Sequence, residues 1–202
     1  MLKTNLVMKN LEVKFNKSIS IESEKVSLDN KKQVVFIGRS NVGKSSLMNA
    51  IFKSKDLVKT SSMPGKTKTA NLFRVDNKYD FVDLPGYGFA KLGQEQKVKL
   101  DALISWYIEE FRYDIKKIVI VLDSKIGPTQ SDIDMFNYLQ ELQIPLIFVL
   151  NKIDKLSNNE INKSLLHTKD LFFGQEIIGT SAKNNINIDE LRKILIEILK
   201  QK

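Results

Sequence analysis

Eight residues, Gly38-Arg39-Ser40-Asn41-Val42-Gly43-Lys44-Ser45, restrict this chain more than any other feature in it. The apolar run Val34-Val35-Phe36-Ile37 before them reads as a buried strand, and Ser46-Leu47-Met48-Asn49-Ala50-Ile51-Phe52 after them as the opening of a helix. G-x-x-x-x-G-K-S between strand and helix is the pattern of a loop that cradles phosphates. Gly38 and Gly43 let the backbone curl so that its N–H groups point inward, and the helix N-terminus adds positive potential. Lys44 reaches β- and γ-phosphates as a point charge, while the Ser45 hydroxyl suits magnesium.

The remaining chain bounds what surrounds this loop. Its 202 residues, 42% of them hydrophobic, fit one α/β domain with some extension. No cysteine occurs, which removes disulfides, thiolate metal sites and thiol catalysis. The longest apolar runs, Ile118 to Leu122 and Ile144 to Leu150, are strand-sized. The first ten residues carry too much charge and amide for a signal peptide, so the expected location is the cytoplasm, with no membrane insertion. A formal charge of +8 favours an anionic partner. A lysine- and asparagine-rich genome would give the same bias, but the charge is also placed: between Lys53 and Lys99 stand ten basic and five acidic residues. That concentration just beyond the phosphate loop points to a nucleic-acid-facing surface.

Residues 1–32 read as a leader packing on a main domain at 33–202. Leu11 to Phe15 alternates like a strand, and Ile19 to Ile21 continues it after a turn at Asn16-Lys17-Ser18. From Gln33 strands and helices alternate, as in a parallel sheet covered on both faces. Ser54 to Ala70 forms a long polar loop, where Thr67 or Thr69 can bring a hydroxyl to magnesium and the γ-phosphate. Strands at 72–75 and 79–82 join at a tight turn, Asp76-Asn77-Lys78. The second runs into Asp83-Leu84-Pro85-Gly86, which offers a carboxylate for magnesium through water and a glycine N–H for a γ-phosphate. Residues 87–94 read as a mobile segment. Helices are expected at 98–111, with Trp106 and Tyr107 in or near the core, and at 129–141 and 160–173, the last holding the lone His167, which receives no role. The final helix has Asn187 as its cap, Glu190 at the capping-box position and a stripe of Ile188, Leu191, Ile194, Leu195, Ile198 and Leu199.

Two further clusters address a base. Asn151-Lys152-Ile153-Asp154 follows the central strand 145–150. The Asp154 carboxylate can accept from N1–H and the N2 amino group of guanine, a donor pair adenine lacks; a site built that way discriminates by roughly 10⁴ or more. Lys152 lies along the base and Asn151 ties the loop to neighbouring backbone. After the strand 176–179, Thr180-Ser181-Ala182-Lys183 can present the Ala182 N–H to guanine O6.

Five elements, 38–45, Thr67, 83–86, 151–154 and 180–183, thus stand in one order. Along residues 33–200 the chain resembles the translation-factor class of P-loop GTPases. Within it, Gly-Arg-Ser-Asn-Val-Gly-Lys-Ser-Ser, Pro64-Gly65-Lys66-Thr67 and Asp83-Leu84-Pro85-Gly86-Tyr87-Gly88 are similar to the EngB (YihA) family, bacterial GTP-binding proteins implicated in large-ribosomal-subunit assembly and normal septation. Asn151 departs from that family's usual threonine, and either residue can brace the loop. The resemblance implies an α/β fold with a six-stranded, mostly parallel sheet, helices on both faces and a short leader strand. It implies GTP or GDP with Mg2+ as ligands, and Thr67, not Thr69, as the threonine of the first switch; 84–98 becomes the second. The implied contact set is Gly38, Arg39, Ser40, Asn41, Val42, Gly43, Lys44, Ser45, Ser46, Gly65, Lys66, Thr67, Asp83, Leu84, Pro85, Gly86, Asn151, Lys152, Asp154, Thr180, Ser181, Ala182 and Lys183. Lys44, Thr67 and Gly86 serve catalysis, and Ser45, Thr67 and Asp83 serve magnesium.

Signalling GTPases carry a water-orienting glutamine after the Asp-x-x-Gly motif. Here Tyr87 stands there, so slow intrinsic hydrolysis is expected. Related GTPases hold potassium with an asparagine at the Asn41 position, so K+ stimulation is expected too. The implied partner is the large ribosomal subunit, met through the basic surface near the switches by a monomer. Two other readings compete: a nucleotide-gated module for division proteins, and an ATP-using kinase, against which Asp154 argues.

Overall fold

Strand–helix alternation from Gln33 onward builds one sheet with helices on both faces. The computed structural model describes residues 11–21, 31–59, 69–88 and 93–201. Residues 1–10 and 22–30 of the leader, 60–68 with Gly65, Lys66 and Thr67, and 89–92 of the second switch lie outside the described residues. In chain order the elements are β1 (Val13–Ile19), β2 (Gln33–Gly38), α1 (Lys44–Phe52), β3 (Ala70–Val75), β4 (Tyr79–Asp83), α2 (Gln94–Glu110), β5 (Ile115–Asp123), α3 (Gln130–Glu141), β6 (Leu146–Asn151), α4 (Asn158–Leu171), β7 (Glu176–Gly179) and α5 (Ile188–Lys200).

The sheet order is β1-β3-β4-β2-β5-β6-β7, with β1, β3 and β4 antiparallel neighbours and the rest parallel. Successive side chains of a strand point to opposite faces. Val34, Phe36, Val119, Val121, Ile147 and Val149 accordingly pack under α1 and α5. Val35, Ile37, Ile118, Ile120, Leu122 and Phe148 pack under α2, α3 and the end of α4, against Ile104, Tyr107, Leu139 and Phe172. Both faces are covered, which is why the central strands read as unbroken apolar runs. At β2 the chain next crosses to one side and at β5 to the other, so the crevice between their carboxyl ends is the topological switch point where open α/β sheets bind ligands.

Several local expectations are corrected. The leader strand is a seventh, integral strand, paired antiparallel with β3 from Val13↔Val75 to Ile19↔Ala70. The turn expected at 16–18 is a register shift between Phe15 and Lys17 inside one continuous strand, because the β3 ladder holds both halves. The turn at 76–78 does close a tight hairpin, with three residues between paired Val75 and Tyr79: Asp76 and Asn77 have φ of 49° and 55°, and Lys78 N donates to Val75 O at 3.0 Å. Helix α2 starts four residues earlier than expected. Helix α4 starts at Asn158 behind a capping box of Ser157 and Glu160 that sequence analysis passed over. Asn187 sits at the N-cap of α5 with φ 56°, but its side chain donates to Gly179 O at 2.8 Å instead of accepting from the helix, and it ties the helix start to β7. The α5 stripe holds, with Ile196 and Arg192 also buried and Ile194 and Ile198 only partly so.

Candidate nucleotide-binding site

Strand β2 delivers the phosphate loop to that crevice, with Gly38 beside Val121 of β5. The loop then makes two left-handed turns, at Asn41 (φ 66°) and Gly43 (φ 94°). A methyl group on Gly43 would lie 2.5 Å from Nδ2 of Asn151, so both conformation and space require glycine there. Gly43 is the N-cap of α1; no side chain caps this helix and its first turn holds no acidic residue. The opening amides of α1 are therefore left for an exogenous anion. Lys44 and Ser45 occupy its first two positions.

Lys44 does not reach into open space. Its Nζ donates to Oδ1 of Asp83 at the end of β4, and both side chains are largely buried. The two groups assigned to phosphate and magnesium thus neutralise each other, and a nucleotide with its cation would exchange this contact for two others. The donor chemistry fits magnesium: a serine hydroxyl and a carboxylate are hard oxygen ligands, and a Mg2+ that keeps waters and phosphate oxygens needs few protein groups. Among the described residues no group of three His, Cys, Asp or Glu converges to form an all-protein cage.

Gly86 lies flat on the phosphate loop. A Cβ there would stand 3.1 Å from Gly38 O and 3.2 Å from Ser40 N, so any larger residue would have to push these two backbones apart. On either side of it Leu84 N donates to Phe36 O (3.1 Å) and Tyr87 N to Gly38 O (3.3 Å). Tyr87, placed by sequence analysis at the start of a mobile segment, is instead pinned. It is 4% exposed, bridges to Arg39, and donates its hydroxyl to Oδ1 of buried Asp132 at 2.8 Å. Burial foremost, with the charge and hydrogen bond of Asp132, raises this phenol well above its usual value and keeps it a donor.

The base-side loops are joined by Asn151. Its Nδ2 donates to Val42 O (3.1 Å) and Gly43 O (3.4 Å), and its Oδ1 accepts from Ala182 N (3.1 Å) and Thr180 Oγ1 (3.5 Å). One amide therefore braces phosphate loop and base loop together, as expected of it. The Ala182 N–H expected to meet guanine O6 is engaged by Asn151 here. Asp154 accepts from Ser181 Oγ at 2.5 Å, and Ser181 Oγ in turn accepts from Asn184 N at 3.1 Å. Lys152, itself left-handed at φ 69°, spans from Asn41 O to Oδ2 of Asp123, 2.7 Å away. Burial alone would raise the Asp123 carboxyl; hydrogen bonds from Lys152 and from Lys125 N, with the charge of Lys152, outweigh it and hold the group below its ordinary value. Ser46, beside Asn49, Ala50, Lys53 and Ala182, lines a cavity of about 570 Å³ between α1 and the start of α5. Lys183 is exposed, and Thr69 donates to Asn71 Oδ1 at 3.3 Å.

Sequence analysis missed Asp123 and Asp132 and gave Ser181 no specific task. The register Asp123↔Asn151 brings the first to the carboxyl ends of adjacent strands, a signal available once β5 and β6 are known to be neighbours. Asp132 carried no such signal, because its partner stands 45 residues away.

A phosphate loop at the switch point, an aspartate and glycine following β4 and an Asn-Lys-x-Asp loop after β6 define a P-loop GTPase domain. The profile of the family described as 50S ribosome-binding GTPase matches residues 33–152, and that of the elongation factor Tu GTP binding domain matches residues 113–201. The chain belongs to the EngB family of GTP-binding proteins. It is 42% identical to the probable GTP-binding protein EngB of Lactobacillus acidophilus over 71% of this chain and 73% of that one. It is 43% identical to that of Kosmotoga olearia over 82% and 88%. A crystal structure of a probable GTP-binding protein engB superposes with a TM-score of 0.71 at 28% identity, covering 84% of this chain and all of the other (100%). NFeoB from S. thermophilus, solved bound to GDP.AlF4- and K+, gives 0.58 at 26% identity over 82% of this chain and 61% of its own.

Proposed function

We propose that this protein is a GTP-driven switch in assembly of the large ribosomal subunit, with a family link to cell division and septation. The observation that carries the nucleotide reading is the Asn151 brace. It fixes the phosphate loop and the Ala182 loop to each other, with Asp154 set beside them by Ser181. In this reading Lys44 leaves Asp83 for the β- and γ-phosphates, Gly86 N–H meets the γ-phosphate, and Asp154 reads guanine. Ser45, Asp83 and Thr67 would hold magnesium, which when bound offsets phosphate charge. The Tyr87 hydroxyl is spent on Asp132, so the chain supplies no water-orienting group at that position, and intrinsic hydrolysis is slow.

Asn41 is the residue we assign to potassium, a fixed cation placed where charge develops in the transition state. The NFeoB structure, solved with K+, supports looking for it. Turnover in potassium buffer should exceed that in sodium buffer at equal ionic strength, with and without ribosomes; equal rates in all four conditions would remove the assignment.

The ribosomal partner is supported by the charge. Lys53 is exposed just before the polar loop that holds Thr67, Lys55 and Lys59 are exposed in the first part of that loop, and Lys97 and Lys99 are exposed at the end of the second switch. Arg74 does not belong to this surface, since it is spent on buried Asp80 at 2.5 Å. Lys78 lies at the amino end of β4, opposite the crevice. The described residues contain no helix long and apolar enough to cross a membrane. Co-sedimentation with isolated large subunits, comparing a non-hydrolysable GTP analogue with GDP across a salt series, tests the proposal. Retention with the analogue alone, fading as salt displaces the lysine–phosphate contacts, is the expected result. Absence of retention in both states would shift the partner to a division protein.

A further inference from the structure

Tyr87 stands where signalling GTPases carry the water-orienting glutamine, and it is held at both its backbone and its side chain. Its backbone N–H is on Gly38 O, its ring is buried in the core that also holds Ile104 and Leu84, and its hydroxyl is on Asp132. Asp132 is 1% exposed and fully engaged: Oδ1 takes the Tyr87 hydroxyl, and Oδ2 takes Thr129 N at 2.8 Å and Thr129 Oγ1 at 2.7 Å at the start of α3. A line of bonds therefore runs from the phosphate loop through Tyr87 to the first turn of α3. Gly86 sits directly upstream of that post, where an added Cβ would crowd Gly38 O and Ser40 N. Immediately downstream, Gly88 turns left-handed at φ 68°.

We infer that Tyr87 and Asp132 are a positioning pair that sets the Gly86 N–H for a γ-phosphate, so that together they tune the preference for triphosphate over diphosphate. Neither touches nucleotide. The peptide between Gly86 and Tyr87 is fixed at its far end by the buried phenol, which leaves Gly86 little freedom except to rotate in place over the loop. Any larger rearrangement of the second switch starts at Gly88. The carboxylate that holds the post is also the one that caps α3, so α3 is the element a change at Gly86 would reach first.

This inference rests on the GTPase reading, and its test separates the two. Affinities for GDP and for a non-hydrolysable GTP analogue are measured with magnesium on the full chain, on Tyr87→Phe, on Asp132→Asn and on the double variant, alongside melting temperature. Phe keeps the ring and removes only the hydroxyl. Asn offers one acceptor oxygen to three donors, so it cannot keep both Tyr87 and Thr129 satisfied. Each single variant should lose roughly tenfold of its preference for the analogue, in line with a hydrogen bond to a charged group, while GDP affinity stays within about twofold. The double variant should lose no more than either single, the mark of residues acting as a unit. A lowered melting temperature with an unchanged analogue-to-GDP ratio in every variant would make the pair structural and overturn the inference. Independent losses that multiply in the double variant would overturn it as a pair. If the unaltered chain bound neither nucleotide, the nucleotide-binding reading itself would fall, and this with it.

Discussion

Asp154→Asn is expected to leave a folded protein that no longer holds guanine nucleotides. The carboxylate offers acceptors to both N1–H and the N2 amino group, whereas the amide offers one acceptor and turns a donor toward the other. A mispaired donor in a desolvated site costs more than a missing bond. GDP and GTP affinity should fall roughly 10³- to 10⁴-fold by calorimetric titration. Xanthine presents an acceptor where guanine has its amino group, so the same variant should now prefer xanthine nucleotides. Folding should barely change, because Asp154 is only half-buried and an asparagine oxygen can still accept from Ser181. A variant that bound GDP normally would mean that the base is read elsewhere.

Lys44→Ala should act twice. With nucleotide, it removes the cation from the β- and γ-phosphates, a loss of roughly 10²- to 10³-fold in affinity for a desolvated charge contact. Without nucleotide, it strands Asp83, which is 3% exposed and paired to Lys44. Breaking a buried pair by deleting one partner costs about 3–5 kcal/mol, so the free protein should melt markedly lower. Asp83→Asn relieves the stranded charge, and in combination with Lys44→Ala it should restore much of the melting temperature without restoring binding. Calorimetry and thermal melts on the three variants check this. If Lys44→Ala melted like the parent, the ion pair would not be the resting arrangement of the free site.

What was legible in the sequence was whatever its chemistry forces into a short stretch. The phosphate loop needs its glycines and lysine at fixed spacing, the guanine loop needs its aspartate three residues beyond Asn151, and both-faces-buried strands must be apolar throughout. Boundaries were less legible where a tertiary bond overrides a local preference. Asn187 has the residue type of a helix cap, but Gly179 O lies within reach and takes its amide instead. Asn16-Lys17-Ser18 has the composition of a turn, but the β3 ladder pulls it straight. Arg74 counted as surface charge until its register partner proved to be Asp80. Tyr87 with Asp132, and Lys152 with Asp123, join residues 45 and 29 positions apart, and no pattern within either segment points to the other. The contacts of Thr67, Gly65 and Lys66 lie outside the described residues and stand as proposals from resemblance.

Strand β1 has a consequence for the order in which the molecule is made. Among the described residues it is the earliest element, and its one sheet neighbour there is β3, whose register with it reaches Val75. Synthesis proceeds at roughly 5–20 residues per second, so β1 waits several seconds for a partner. When β3 does arrive, the intervening stretch with β2 and α1 must be bridged before the ladder forms, and such non-local pairing is intrinsically slow. Until then β3 presents an open edge carrying Leu72 and Phe73, a template for another copy's strand. Once the ladder has closed, β1 covers that edge, so the seventh strand removes from the finished molecule a template that the growing chain exposes.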